Sequence, residues 1–156
     1  MSRTKTLTKV LDIREREKDA AQKAYNQAMQ HFEDVATKLY QTLKKKEDAE
    51  ESYDQYLKDM VQIDRLMDQM AYIESLNRQI VLLQHQVNQA RTQMELKQQS
   101  LTHAHIEVKK FEKLIETRKQ EQQQTELKQE QMFMDDMSVQ QFLSQKQGGQ
   151  YGKEIG

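Results

Sequence analysis

The chain has 156 residues with 24 basic and 25 acidic side chains, a formal charge of -1, so it lacks the cationic excess that phosphate contacts need, which argues against nucleic acid as a partner. Cysteine is absent and only 36% of residues are hydrophobic, which rules out disulfides and thiolate metal sites and fits a reducing compartment. The longest aliphatic run, Ile80 to Leu83, is far short of the ~20 apolar residues of a membrane span, and the N-terminus has no hydrophobic signal core; the expectation is a soluble cytosolic protein with no direct membrane insertion.

Proline is missing altogether, and the first glycine is Gly148. Interior proline costs a helix about 3 kcal/mol and glycine about 1, so the two strongest helix breakers are absent from the first 147 residues. The apolar residues alternate at spacings of three and four, the coiled-coil period of about 3.5. Along the first half a seam runs through Tyr25, Ala28, Phe32, Val35, Leu39, Thr42, Lys46, Ala49, Tyr53, Tyr56, Met60, Ile63, Met67 and Met70, with Thr42 and Lys46 its polar members. A second runs through Ile73, Leu76, Ile80, Leu83, Val87, Ala90, Met94, Lys97, Leu101, Ala104, Val108, Phe111, Ile115 and Arg118, broken by Lys97 and Arg118. Each seam decays inside the other's territory, so the phase changes between 58 and 73.

A phase change marks either a stammer in one long helix of a parallel dimer or a turn between two helices. The apolar stripe runs from Leu7 to Ile115, and its midpoint falls inside the phase change. The seam also stops after Arg118, where a first arm would run out of residues to pair with. The expected fold class is therefore all-α, an antiparallel two-helix coiled coil: arm one over about 5–58, a turn within 58–65, arm two over 66–145. Each arm would be on the order of 80 Å long at about 1.5 Å per residue. The turn carries no Gly, Pro or Asn, and Asp59 and Asp64 are its candidate N-caps. Lys46 on the seam weakens its layer and helps fix register.

Residues 121–131, EQQQTELKQEQ, read as a solvated helix overhanging the hairpin. Apolar residues return at Met132, Phe133, Met137, Val139, Phe142 and Leu143, several at helical spacing, as a sticky face. The run from Gln147 to Gln150 is expected to end the helix, leaving residues 148–156 as a flexible tail.

No catalytic constellation stands out, and the expectation is a non-enzyme with no cofactor, no metal and no small-molecule substrate. His31, His85, His103 and His105 have no clamp spacing, since only i+3 and i+4 neighbours meet on a helix. No glycines are placed for a phosphate loop. Acid pairs such as Glu50-Glu51 and Asp135-Asp136 lack the burial that general acid/base work needs. Nine methionines are many for this length, and Met60, Met67 and Met70 gather at the expected turn. Core filling where the arms diverge accounts for them first, and an adaptable binding surface second. Tyr53, Tyr56 and Tyr72 read mainly as packing, with an aromatic docking patch near the tip as the functional alternative.

Three stretches resemble the FliJ family, small coiled-coil components of the bacterial flagellar type III protein-export apparatus. They are the opening Leu7, Val10-Leu11, Ile13-Arg14-Glu15, Glu17, Ala20-Ala21 and Tyr25; the run Met70-Ala71-Tyr72-Ile73-Glu74-Ser75-Leu76; and the ending from Met134 to Leu143. The resemblance implies an antiparallel two-helix coiled coil similar to the central stalk of rotary ATPases. It implies partners too: the flagellar export ATPase, whose ring it helps assemble, the membrane export gate, and export chaperones. It places the protein in the cytoplasm, peripherally at the membrane beneath the flagellum, serving flagellum assembly and motility. By that resemblance the gate-binding patch near the turn falls on Tyr53, Tyr56, Tyr72 and Leu76, although polar Lys44 to Asp48 interrupts the match on the first arm. The helix ends with Leu11, Phe133, Phe142 and Leu143 would face the ATPase. Two other classes compete: a parallel dimeric scaffold, separated by mass in solution, and a holdase-type chaperone, separated by protection of unrelated clients.

Overall fold

The computed structural model describes the backbone of residues 2–155 and the side chains of residues 3–146. It consists of two helices and one turn: α1, Ser2–Lys58, and α2, Ile63–Ile155. The backbone of α2 stays helical through Gly148 and Gly149, contrary to the helix end expected at Gln147 to Gln150; the side chains of residues 147–156 lie outside those described, and the flexible tail expected over 148–156 falls among them. Packing divides the chain into two bodies, one of residues 12–108 and one of residues 1–11 with 109–156.

In the body 12–108 the chain reverses and zips onto itself. His31, Val35 and Lys38 share a groove with His85 to Gln93, while Lys45 to Ser52 share another with Gln69 and Tyr72. Rising numbers on α1 meet falling numbers on α2, so the pair is antiparallel. The buried positions, Val35, Thr42 and Ala49 on α1 and Leu76, Ile80, Val87, Ala90 and Val108 on α2, are members of the two seams. No large side chain among the described residues is wholly enclosed, because a two-helix seam has water on both sides. Burial of this narrow stripe, at about 25 cal/mol per Å2, stabilises the pair. Polar contacts pin the register. The Arg91 guanidinium sits 5.7 Å from the Phe32 ring centroid across the seam. Gln69 donates from Nε2 to the Ala49 carbonyl at 3.1 Å. Buried Thr42 satisfies its hydroxyl by donating to the Lys38 carbonyl at 2.8 Å. Half-buried Lys46 stands 3.8 Å from Glu50 on its own helix.

The turn is closed by backbone geometry. Val61 N–H donates to the Tyr56 carbonyl at 3.1 Å and Met60 N–H to the Leu57 carbonyl at 3.4 Å, the paired bonds of a Schellman ending. That ending needs a left-handed residue, and Met60 supplies it with φ of 50° although glycine is the usual occupant. Half-buried Val61 and Tyr56 stand at the two positions whose apolar contact usually accompanies this motif. Gln62 then opens α2: its carbonyl accepts from Arg65 and Leu66 at 3.1 and 3.3 Å. Neither Asp59 nor Asp64 is the N-cap, contrary to expectation. Asp64 lies inside the first turn of α2, where its carboxylate complements the helix dipole.

Register near the turn also differs from the sequence reading. Met60, Ile63, Met67 and Met70, assigned above to the first seam, are 92, 71, 62 and 48% exposed. The second seam extends back instead from half-buried Ile73 through half-buried Gln69 and Leu66. Reversal of the chain resets the phase, and Gln69 tolerates its seam position because the Ala49 carbonyl takes its amide. The methionines therefore do not fill a core where the arms diverge.

In the other body, the start of α1 lies along the stretch of α2 that begins at Lys109. Thr4, Lys5, Thr8 and Lys9 share a groove with Lys119 and Gln122, and Leu11 lines another with Ile115 and Glu112. Ile115 is the buried anchor. From Lys119 to Lys146 every residue is exposed.

Candidate functional site

Two regions concentrate exposed apolar side chains at helical spacing. The first surrounds the turn. Leu57 lies half exposed in the last turn of α1, Met60 projects from the left-handed position, and Ile63, Met67 and Met70 follow at i, i+4 and i+7 on one outer face of α2. The second is the stretch of α2 with no α1 beside it, where Leu127, Met132, Phe133, Met134, Val139, Phe142 and Leu143 are each more than half exposed. An isolated helix is marginal in water, and clustered exposed apolar groups mark interaction surfaces.

The residues assigned to gate binding separate by position. Tyr72 is 44% exposed and lines an open groove with Lys45, Asp48, Ala49, Ser52 and Gln69. Tyr53 and Tyr56 are half-buried on the seam. Leu76, at 4% exposure, belongs to the core between the helices and supports the neighbourhood rather than presenting a side chain to it. Of the residues assigned to ATPase binding, Leu11 is half-buried against the second arm near Ile115, whereas Phe133, Phe142 and Leu143 are 64, 65 and 53% exposed on the unpaired segment.

Sequence reasoning placed Ile63, Met67 and Met70 on the first seam and ranked a methionine binding surface second to core filling, because their 3–4 spacing imitates a seam. A second signal lay in the charges. Residues 47–74 hold nine carboxylates against Lys58 and Arg65, a formal charge of -7 in a chain whose total is -1. The start of α1 is opposite in sign, with Arg3, Lys5 and Lys9 before any acidic residue.

Among the described residues, no three His, Asp or Glu side chains gather as a metal site, and no helix is long and apolar enough to cross a membrane. The grooves between the helices are open to solvent on one side. The geometry is suited to docking of other macromolecules along surfaces.

Comparison with known proteins agrees with this architecture. The sequence model described as Flagellar FliJ protein matches residues 3–147. The Flagellar FliJ protein of Bacillus subtilis (strain 168) is 36% identical over 141 residues, covering 88% of this chain and 93% of that relative. No solved structure matches. A match over nearly the whole length, on two helices joined by one turn, establishes that this chain belongs to the flagellar FliJ protein family.

Proposed function

We propose that the chain is a non-enzymatic component of the flagellar type III export apparatus. In this reading it is a stalk-like hairpin that binds the export ATPase ring, promotes ring assembly and activity, and links the ring to the membrane export gate and to export chaperones. The single observation that carries the reading is the mismatch in helix length. Because α2 outlasts α1, the segment from Gln124 to Lys146 lies beyond the last α2 residues that share a groove with α1 and carries Phe133, Phe142 and Leu143 in the open. That segment, with Leu11 nearby in sequence to the α1 start, is the ATPase-facing surface. The neighbourhood of the turn, with Tyr53, Tyr56, Tyr72 and the seam residue Leu76, is the gate-facing surface.

In this reading each surface engages its own partner, and binding free energy comes from the exposed side chains. The protein works at the cytoplasmic face of the membrane, held there by its partners, which fits the absence among described residues of a membrane-spanning helix. The test is to add the purified chain to the purified export ATPase of the same cell, following ring assembly by sedimentation and ATP turnover by phosphate release. Both should rise. No complex at micromolar concentrations would contradict the reading.

A further inference from the structure

We infer that the turn docks through the outward stripe of Met60, Ile63, Met67 and Met70, and that the receiving surface is an apolar groove edged with lysine or arginine. The identity of the partner, the export gate, rests on the reading above; the surface and its chemistry rest on the structure. None of these four side chains contributes to the seam, which passes through Leu66, Gln69 and Ile73. Met60 is held in a backbone region unfavourable for a residue with a Cβ and is 92% exposed. A large apolar side chain at such a position gains nothing from packing within the hairpin. Methionine is unbranched and polarizable, so a row of them adapts to an irregular groove.

Charge selects the occupant. Asp59 precedes Met60, and Asp64 and Asp68 each follow one residue after Ile63 and Met67, so carboxylates border the stripe. Lys58 and Arg65 are the only cations against nine acids in residues 47–74. An anionic lipid surface or an acid-edged groove would be repelled by this field, whereas a basic rim would be attracted and steered into register. Such steering weakens with ionic strength, because the Debye length is about 8 Å at physiological salt.

The experiment measures affinity for the purified cytoplasmic domain of the gate and, separately, for a synthetic amphipathic helix of leucine and lysine. Its control is the same helix with glutamate in place of lysine. The exposed pair Met60→Ser with Met67→Ser leaves the seam intact and should weaken both interactions by about tenfold or more. Asp64→Lys with Asp68→Lys should weaken them too, and should flatten their dependence on salt. Helix content by circular dichroism should match the wild type in both variants. Unchanged affinity in the methionine variant overturns the inference, as does equal binding of the lysine and glutamate helices. Binding of anionic phosphatidylserine vesicles through Met60 and Met67 would also overturn it. If the gate domain fails to bind while the lysine helix binds in a methionine-dependent way, the surface stands and the gate reading falls. If neither binds, the surface is refuted.

Discussion

Replacing Leu76 by alanine tests whether this residue belongs to the core or to a docking surface. Leu76 is 4% exposed, so nearly its whole side chain has left water on folding. Transfer of a buried leucine contributes about 1.5–3 kcal/mol, and measured leucine-to-alanine changes in cores run to about 2–5 kcal/mol when a cavity remains. A seam of two helices cannot close over the missing atoms. The pit opens to solvent, the cavity contribution is small, and the expected loss is about 2–3 kcal/mol. Met67, 62% exposed, supplies the contrast: Met67→Ala should change stability by less than about 0.5 kcal/mol. Urea unfolding followed by circular dichroism measures both. Equal losses, or a Leu76→Ala loss below about 0.5 kcal/mol, would refute the burial argument. Loss of gate binding in a Leu76 variant would then have to be separated from loss of fold, which makes Tyr72→Ala the cleaner probe of that neighbourhood.

Three other outcomes follow from the same geometry. Met60→Gly should stabilise the hairpin by up to about 1 kcal/mol in urea unfolding, since glycine adopts the left-handed turn position without a Cβ penalty. Gln69→Ala should destabilise by about 1 kcal/mol through loss of the 3.1 Å bond to the Ala49 carbonyl, seen as a lower urea midpoint. Phe133→Ala combined with Phe142→Ala should leave helix content and unfolding midpoint unchanged, because both rings are exposed, while weakening ATPase binding in calorimetry; unaltered binding would remove these two from the interface.

Particular residues show what was legible beforehand. The seams from Val35 to Ala49 and from Leu76 to Ile115 could be read directly, because each apolar residue at the 3.5 period has one place to go. The end of the buried stripe after Arg118 was legible for the complementary reason that no apolar residue continued it. The turn's location followed from the loss of phase, but its form did not: a Schellman ending with methionine in glycine's place leaves no residue signal. The register of residues 60–70 was misread because two patterns overlap there. Met60, Ile63, Met67 and Met70 carry the seam's spacing on an exposed face, while the true seam includes Gln69, whose polarity is offset by a backbone carbonyl on the other arm. Leu76 was assigned to a surface by family resemblance even though its own 3–4 spacing with Ile73 and Ile80 already placed it in the seam.

The most direct test of the doubled-back chain is an intramolecular distance. The absence of native cysteine allows two to be introduced alone, His31→Cys and Gln93→Cys, at residues that line the same groove. With spin labels at both sites and an excess of unlabelled protein, the account predicts a short distance that survives dilution, set by helix axes ~8–10 Å apart plus the label arms. A signal that vanishes on dilution, or a separation near the ~93 Å that an unbroken helix would impose at ~1.5 Å per residue, would contradict it.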